Sequence, residues 1–230
     1  MLVNPITIIA IDGTSSSGKG TLASALAKHL GFHYLNSGAL YRLAAHLAIV
    51  HGIDILDHTE SNLDKVVELM KSESEYIDFI DKQVLYKGQD LWPMLSSQEA
   101  GNNASTISFY PPLRYAIKDF QRGRIKSPGL VAEGRDMGTA VFTDAKIKIY
   151  LDATVEARAP RRLREEEARG SGKTYEMICE ELKKRDETDK GHAVGALKLA
   201  DDAYYIDTSE MTKEETLAKA IKYCEEKGVV

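Results

Sequence analysis

Residues 6–21 read ITIIAIDGTSSSGKGT, a run of branched apolar residues followed by glycines, serines and one lysine. The apolar run Ile6–Ile11 stops at Asp12, and such a continuous run is typical of a strand buried on both faces. Gly13–Thr21 then leads into a predicted helix, where glycines let backbone N–H groups turn inward around an anion. Lys19 adds a full positive charge, which a purely structural turn would not need. The stretch therefore predicts a phosphate-binding loop (P-loop) between a buried strand and a helix.

The loop departs from the strict P-loop motif at one position. The strict motif has a hydroxyl residue directly after the lysine, whereas here Gly20 follows Lys19 and Thr21 comes next. The order G-K-G-T resembles nucleoside monophosphate kinases, in which magnesium is held chiefly by nucleotide phosphates and water. We therefore expect ATP and Mg²⁺ but no metal ligand from the protein, and the loop alone does not identify the acceptor. The residues predicted to bind ATP are Gly13, Thr14, Ser15, Ser16, Ser17, Gly18, Lys19, Gly20 and Thr21.

Short β-rich runs alternate with longer helical ones along most of the chain. The predicted strands are Ile6–Ile11, Phe32–Leu35, Leu130–Ala132, Ile147–Leu151 and Ala203–Ile206. The predicted helices are Thr21–Leu30, Ala39–His51, Leu113–Ile125, Tyr175–Lys190 and Lys213–Lys227. Thr212 and Glu215 have the spacing of a capping box at the start of the last helix. Alternation of this kind favours an α/β fold with a parallel sheet covered by helices on both faces.

One stretch interrupts the alternation. Tyr76–Ile80 and Gln83–Lys87 have the pattern of two short strands joined at Asp81-Lys82, which predicts an antiparallel insertion within about 63–95. A segment of about 35 residues cannot readily bury a core of its own. We therefore expect a substrate-side lobe inserted in one domain that spans residues 1–230.

Length and charge exclude several classes of protein. The chain has 230 residues, which fits one large domain at about 150 residues per domain. Its 30 Lys and Arg against 35 Asp and Glu give a net charge of −5, so a nucleic-acid partner is not expected. The two cysteines do not have the spacing of a disulfide framework or of a zinc site. No basic leader and no apolar stretch long enough to cross a membrane is recognisable. We expect a cytoplasmic protein without a membrane partner, and a monomer because no long apolar stripe demands a partner.

Two further segments contain residues that could bind an anion. In Leu35–Arg42 (LNSGALYR), Ser37 can cap the next helix and Arg42 could reach a phosphate, although an ordinary cap and a surface arginine explain both. In 131–139 (VAEGRDMGT), Arg135 could clamp a phosphate and Asp136 could accept from an amino group. This second segment ends a predicted strand, and ligands of parallel sheets bind at the carboxyl ends of strands. A salt-bridged structural loop is the alternative.

Arginines are concentrated on one later helix. Arg158, Arg161 and Arg162 are spaced i, i+3 and i+4, so they share one face of the predicted helix. The acidic run 165–167 nearby allows the alternative of a solvated, ion-paired surface. Pro160 within this stretch is expected to kink the helix or to delay its start.

Taken in chain order, several segments together resemble the bacterial cytidylate kinases, which are nucleoside monophosphate kinases with a P-loop. These segments are IDGTSSSGKGT, LNSGALYR, an inserted lobe, QEAGNNAS, AEGRDMGT and KKRDETD. The resemblance runs from Ile6 to about Asp207, and GRDMGT with the long insertion is much more specific than the P-loop. It implies a five-stranded parallel sheet, an enlarged monophosphate-binding lobe and a short arginine-rich lid at about 158–174. It also implies transfer of the γ-phosphoryl group of ATP to CMP or dCMP, which gives CDP or dCDP in pyrimidine nucleotide metabolism.

The resemblance assigns roles to individual residues. The groups that would stabilise the transferred charge are Lys19, Arg135, Arg158, Arg161 and Arg162. The phosphate of the acceptor would be bound by Ser37, Arg42 and Arg135. The cytosine would be recognised by Ser105, Arg114 and Asp136, with Tyr41 lining the same pocket, and the sugar would be contacted by Arg185 and Asp189. A carboxylate opposite the exocyclic amino group suits cytosine, whereas uracil would present an oxygen there.

Three positions depart from the pattern of the family. Ser16 stands where a glycine is common, Asn36 where an aspartate is usual, and His192 where an arginine is often found. Ser16 predicts a local change in the P-loop turn, and Asn36 removes a charge near the acceptor phosphate. We hypothesise that Lys190 or protonated His192 replaces the missing arginine, and a histidine would weaken CMP binding as pH rises.

Two alternative functions stay open at this point. A P-loop kinase for another small acceptor, such as UMP, AMP or a non-nucleotide alcohol, would show little response to CMP. A nucleotide-binding regulatory module that has lost catalysis would need fewer cations than Lys19, Arg135 and the arginines of the lid provide.

Overall fold

The computed structural model describes residues 6–80, 82–191 and 195–229. Asp81 and His192, which the sequence analysis singled out, lie outside the described residues. The strands are β1 (Thr7–Gly13), β2 (His33–Asn36), β3 (Ile77–Ile80), β4 (Gln83–Tyr86), β5 (Gln89–Asp90), β6 (Gly129–Gly134), β7 (Ile147–Asp152) and β8 (Tyr204–Asp207). The helices are α1 (Lys19–Leu30), α2 (Ser37–Val50), α3 (Glu60–Glu73), α4 (Trp92–Leu95), α5 (Gln98–Ile107), α6 (Pro111–Arg122), α7 (Val155–Glu167), α8 (Tyr175–Gly191) and α9 (Lys213–Glu226). A 3₁₀ turn covers Ser74–Tyr76, and a π-helical turn covers Met137–Val141.

A five-stranded parallel sheet with the order β2-β6-β1-β7-β8 forms the centre of the fold. The middle strand, β1, pairs with β6 as far as Asp12↔Gly134 and with β7 as far as Gly13↔Leu151. The five predicted strands and the α/β fold class are therefore confirmed. Because the strands are parallel, the carboxyl ends of β6, β1 and β7 meet at one edge, beside the P-loop.

Helices cover both faces of this sheet. Ile9 and Ile11 of β1 are fully buried and pack in one cluster with Leu26 of α1. Ile8, on the opposite face, packs in a second cluster with Leu40 of α2. The middle strand is thus buried on both sides, as its continuous apolar run predicts.

The insertion between α3 and α4 contains a small antiparallel sheet. β3 and β4 pair from Ile77↔Tyr86 to Ile80↔Gln83, and β5 adds a third strand of two residues. Ile77 and Val84 are buried in the same cluster as the side chains of α2, so the hairpin is fastened to the main core. The two predicted strands are confirmed, and the extent of the substrate-side lobe stays a prediction.

Two helix termini test sequence expectations directly. The capping box is confirmed, because Glu215 N donates to Thr212 Oγ1 at 3.1 Å and Thr212 N donates to Glu215 Oε2 at 2.8 Å. α7 begins at Val155 and continues through Pro160 to Glu167, so the expected delay of this helix is wrong, and the expected kink stays a prediction.

Cys179 and Cys224 are free thiols. Within residues 6–80, 82–191 and 195–229, no helix has both the length and the apolar character needed to cross a membrane. The same residues bring together no group of three or more His, Cys, Asp or Glu side chains that could hold a metal ion.

Candidate active site

The P-loop connects the end of β1 to the first turn of α1. Gly13 lies so close to β7 that a Cβ atom there would come within 2.1 Å of the carbonyl oxygen of Leu151, which excludes a side chain. The backbone turns through positive φ angles of 61° at Ser16 and 94° at Gly18. Ser17 Oγ is buried without a hydrogen-bond partner among the described residues. An unpartnered hydroxyl beside a helix N-terminus suits an anionic ligand.

Lys19 bends back over this loop, and its Nζ donates to the carbonyl oxygen of Thr14 at 3.1 Å. Burial lowers the pKa of Lys19, and the carboxylate of Glu133 opposes that shift. Glu133 lies on β6, is 5% exposed and accepts from the Tyr34 hydroxyl at 3.3 Å. Burial raises the pKa of Glu133, and Lys19 opposes it. The charge of the lysine is thus balanced nearby while its ammonium group faces the loop.

A cavity of about 190 Å³ opens at the carboxyl ends of β2 and β6. It brings together residues that are far apart in the sequence and come from the P-loop, α2, α5, α6 and α8. The predicted site residues in its lining are Ser15, Lys19, Ser37, Tyr41, Arg42, Ser105, Arg114, Arg135, Asp136 and Arg185. Predicted ATP-binding and acceptor-binding residues therefore share one cleft.

Arg114 and Asp136 form an ion pair in the wall of this cavity. Arg114 Nη1 also donates to the carbonyl oxygen of Ser108 at 2.9 Å, and its guanidinium lies 5.5 Å from the ring centroid of Tyr41. Burial raises the pKa of Asp136, and the guanidinium of Arg114 opposes that shift. A carboxylate, a guanidinium and an aromatic ring side by side suit a planar ligand with both donors and acceptors.

Asp189 joins the two arginines Arg135 and Arg185 behind the same cavity. Its Oδ2 lies 2.6 Å from Arg135 Nε, and its Oδ1 lies 3.1 Å from Arg185 Nε. The carboxylate is only 1% exposed, yet neither oxygen has an aligned hydrogen bond within the described residues. Arg185 also donates to Ser105 Oγ at 2.5 Å. Burial and the charge of Arg135 lower the pKa of Arg185 to about 10, as expected where two cations are crowded together.

Ser37 does not cap α2, so that interpretation of the sequence is wrong. Asn36 caps the helix instead, because its Oδ1 accepts from Ala39 N at 3.0 Å. Ser37 Oγ accepts from Gln121 Nε2 of α6 at 2.8 Å. Since a hydroxyl that accepts one hydrogen bond can still donate its own proton, Ser37 can donate into the cavity.

Arg42 lies one turn into α2 and lines the cavity. Its Nη1 donates to the carbonyl oxygens of Leu95 and Ser97, at 2.6 and 2.7 Å. Burial and neighbouring arginines lower the pKa of Arg42 to about 10. The arginine is therefore held in place by the last residue of α4 and the residue that precedes α5, while it adds positive charge to the cavity.

Two supporting residues were missed by the sequence analysis. Asp12 accepts from the backbone N–H groups of Met137 and Gly138, both at 2.8 Å, and so fixes the loop that carries Arg135 and Asp136. A charged residue at the end of a buried strand was a signal for it. The sequence pattern did not identify Gln121, because a single polar residue on an amphipathic helix is normally predicted to be exposed.

A family model described as cytidylate kinase matches residues 9–226 of this chain. The chain belongs to the cytidylate kinase family. It is 38% identical over 228 residues to a cytidylate kinase of Pseudomonas aeruginosa (strain LESB58), with 97% of each chain covered. It is 39% identical over 224 residues to that of Aeromonas salmonicida (strain A449), with 95% of this chain and 94% of the relative covered. Identity to the cytidylate kinase of Ralstonia nicotianae (strain ATCC BAA-1114 / GMI1000) is 40% over 216 residues, with 94% and 91% covered.

The three arginines of α7 have different surroundings in this cytidylate kinase family member. Arg158 is 2% exposed and pairs with Asp186 of α8. Arg161 donates through Nη2 to the carbonyl oxygen of Thr208 at 2.5 Å. Arg162 forms an ion pair with Glu166 at 2.8 Å. Their catalytic roles and the extent of the lid stay predictions.

A second cavity, of about 530 Å³, borders another flank of the P-loop at Ser17, Gly18 and Thr21. Its remaining wall includes Arg161 and the segment from Thr208 to Leu217. The sequence analysis interpreted Thr212 and Glu215 of this segment only as a helix cap and predicted no ligand-binding role for it, because a connection between a short strand and a helix has no local binding pattern. Residues of the P-loop therefore line both cavities, the first through Ser15 and Lys19 and the second through Ser17, Gly18 and Thr21.

Proposed function

We propose that this protein is an ATP-dependent cytidylate kinase that phosphorylates CMP or dCMP to CDP or dCDP. The observation that carries the proposal is the buried Arg114–Asp136 pair in a cavity that Lys19 of the P-loop also lines. One cleft thus contains a pair of side chains that can recognise a nucleotide base, Arg114 and Asp136, and a cation, Lys19, that can stabilise the transferred phosphoryl group.

In this proposal the P-loop holds the phosphates of ATP. Backbone N–H groups at the start of α1 and the unpartnered hydroxyl of Ser17 suit an anion. The adenine and ribose would occupy the second cavity, beside Thr21 and Arg161, because residues of the P-loop line that cavity. Its volume of about 530 Å³ is within the usual range for small-molecule pockets.

The first cavity would take the acceptor. Asp136 would accept from the exocyclic amino group of cytosine, and Arg114 would donate to its ring acceptors. Uracil would place an oxygen against the carboxylate, and a buried mismatch of this kind costs several kcal/mol (about 10⁴–10⁵-fold at polar sites). The other residues proposed to bind the base and the sugar are Tyr41, Ser105, Arg185 and Asp189.

Phosphoryl transfer needs placement and charge neutralisation more than covalent chemistry. Ser37, Arg42 and Arg135 would hold the acceptor phosphate so that its oxygen attacks the γ-phosphorus, while the bond to the bridging oxygen of ADP breaks. The charge that develops would be stabilised by Lys19, Arg135, Arg161 and Arg162, and positioned cations of this kind are worth about 10³–10⁵ in rate.

Magnesium would arrive on the phosphates of ATP, since the described residues form no group of three or more potential ligand side chains. When bound, it would neutralise charge on the phosphates. We further propose a cytoplasmic monomer that acts in pyrimidine nucleotide metabolism and has no nucleic-acid or membrane partner.

A coupled assay of ADP formation with ATP, Mg²⁺ and a panel of acceptors tests this function. We expect CMP and dCMP to be the best substrates, with UMP and AMP far weaker by kcat/KM. A clear preference for UMP, AMP or a non-nucleotide alcohol would favour a kinase for another acceptor. ATP binding without any phosphorylation would favour a regulatory module that has lost catalysis.

A further inference from the structure

The buried guanidinium of Arg158 connects the P-loop to α8, the helix that carries two proposed sugar-binding residues. We infer that Arg158 and Asp186 are positioning residues that couple ATP binding to acceptor binding. The inference rests on the proposed function, because it uses both nucleotide sites. It assigns to Arg158 a role through other residues and not contact with the transferred phosphoryl group.

Protein groups engage the guanidinium of Arg158 at each of its nitrogens. Nε donates to the carbonyl oxygen of Ala153 at 2.8 Å. Nη1 donates to the carbonyl oxygen of Ser15 and to Asp186 Oδ1, both at 3.0 Å, and Nη2 donates to Asp186 Oδ2. A bidentate arginine–carboxylate pair has a fixed geometry. These bonds use four of the five N–H donors of Arg158, and the side chain is 2% exposed, so its guanidinium is committed mainly to the protein.

Ser15 and Asp186 belong to different parts of the cleft. Ser15 lies in the P-loop, whereas Asp186 follows Arg185 directly on α8 and precedes Asp189 by about one turn. Asp189 contacts Arg135, and Arg185 donates to Ser105. A continuous chain of contacts therefore leads from the P-loop, through Arg158 and α8, to the acceptor cavity.

This chain predicts positive coupling between the two nucleotides. Phosphates in the P-loop would fix the carbonyl group of Ser15, and this would hold Arg158 and α8 in their present arrangement. An acceptor that binds afterwards would lose less conformational freedom and would bind more tightly. Coupling between two sites is typically about 5–150-fold and is the same in both directions.

Titrations of CMP with and without a non-hydrolysable ATP analogue and Mg²⁺ test the inference. For the unmodified protein we expect the analogue to lower the Kd for CMP by a factor in that range. In Asp186→Asn, which loses the charge and one of the two acceptors, the factor should fall towards one. Arg158→Lys should also lose most of the coupling, because a lysine ammonium cannot bind both oxygens of Asp186 and the carbonyl group of Ser15 in the geometry of a guanidinium.

Glu181→Gln is the matched control, because it removes an ion-pairing carboxylate from α8 as Asp186→Asn does. Lys173 Nζ pairs with Glu181 Oε1 of α8 at 2.7 Å, so this ion pair also reaches α8 but does not involve the P-loop. We expect the control to keep the full coupling factor. Thermal unfolding of each variant identifies any that do not fold, and Asp186→Asn is the milder change if Arg158→Lys is unstable.

Two outcomes would overturn the inference: no coupling in the unmodified protein, or equal factors in the unmodified protein and Asp186→Asn. A variant that keeps the coupling but loses kcat would instead indicate a catalytic Arg158. The proposed function fails separately, when the unmodified enzyme does not phosphorylate CMP. The same titrations would then be made with the acceptor that the panel identifies.

Discussion

Two positions at which the sequence departs from the family pattern, Asn36 and Ser16, affect charge and backbone structure separately. Asn36 keeps the cap of α2, because its amide oxygen accepts from Ala39 N as a carboxylate oxygen would. What changes is the charge near the acceptor cavity, which Asn36 lines. Ser16 has the opposite character, since it leaves the charge unaltered and changes the backbone. Its φ of 61° is a left-handed conformation that favours glycine.

Ser16→Gly should stabilise the protein by about 1 kcal/mol, because glycine adopts a left-handed backbone without the Cβ penalty. Urea unfolding of the nucleotide-free protein measures the change. Ser15→Gly is the control, since Ser15 does not have a positive φ and its replacement by glycine should cost about 0.5–1 kcal/mol. Equal effects of the two substitutions would contradict the assigned strain at Ser16.

Asp136→Ala should abolish the selectivity for CMP over UMP and most of the activity. Without the carboxylate, Arg114 is left buried without its charge partner and the amino group of cytosine has no acceptor. We expect kcat/KM for CMP to fall by about 100-fold or more, while the KM for ATP changes little. Steady-state kinetics with both acceptors measures this.

Asp144→Ala provides the matched control for Asp136, because it also breaks an Arg–Asp pair. Asp144 pairs with Arg122 at 2.9 Å on the surface, where its side chain is 59% exposed. Surface pairs of this kind contribute little to stability, so activity and selectivity should stay at the level of the unmodified protein. Undiminished CMP turnover in Asp136→Ala would remove its assigned role.

Neighbouring strands and their following loops form the rigid frame of the site. β1 and β6 pair side by side, and each ends in a loop of the site, the P-loop and the loop that carries Arg135 and Asp136. Asp12 joins the two loops through the N–H groups of Met137 and Gly138. Burial raises the pKa of Asp12 to about 7, against hydrogen bonds that favour the ionised form. The geometry of the acceptor clamp thus depends on a carboxyl group that titrates near neutral pH.

Asp12→Asn should change how stability depends on pH. In the folded state Asp12 holds its proton up to about pH 7, whereas in the unfolded chain it is lost near pH 4. Its contribution to stability is therefore complete below about pH 4 and is lost as pH rises through 7. Between pH 5 and 7 the free energy of unfolding should fall less steeply in Asp12→Asn, by up to about 1.4 kcal/mol per pH unit.

Urea unfolding at several pH values measures this slope. Asp207→Asn is the control, because hydrogen bonds from Ser209 lower the pKa of Asp207 and keep its titration below the tested range. That variant should keep the slope of the unmodified protein. Parallel curves for Asp12→Asn and the unmodified protein would contradict the raised pKa.

The net charge of the whole molecule is negative, whereas the charge of the residues that line the cleft is mainly positive. The chain carries −5, yet the acceptor cavity is lined by Lys19, Arg42, Arg114, Arg135 and Arg185. Fewer carboxylates face the same space, and Asp136 is already paired with Arg114. The local field, and not the net charge, therefore governs the attraction of an anionic acceptor.

The Kd for CMP should rise several-fold between low salt and physiological or higher ionic strength. Salt screens the attraction between the phosphate and the arginines, and the Debye length is only about 8 Å at physiological ionic strength. Cytidine, which has no phosphate, is the matched ligand and should bind with nearly constant affinity. Isothermal titration of both ligands measures this, and identical salt dependence would argue against a phosphate-binding role of the arginines.

Local patterns were sufficient for the central elements. The apolar run before Gly13 predicts β1, alternation of strands and helices predicts the parallel sheet, and a capping-box spacing predicts the start of α9. Each of these depends on residues that are close in the sequence, which is why periodicity and spacing identify them. The Ser37 cap was predicted by the same kind of reasoning and is wrong, because two adjacent residues could both cap and only the backbone decides between them.

Other features depend on contacts between residues far apart in the chain, which no local pattern encodes. Gln121 reaches Ser37 only because α6 packs against α2, and Arg158 reaches Ser15 and Asp186 only because α7 lies between the P-loop and α8. The amino-acid sequence alone was thus enough to predict the parallel sheet, the P-loop and the family of the protein. Folding decided which arginines line the cavity and which protein groups each arginine pairs with, because desolvated charges take the nearest partners that packing provides.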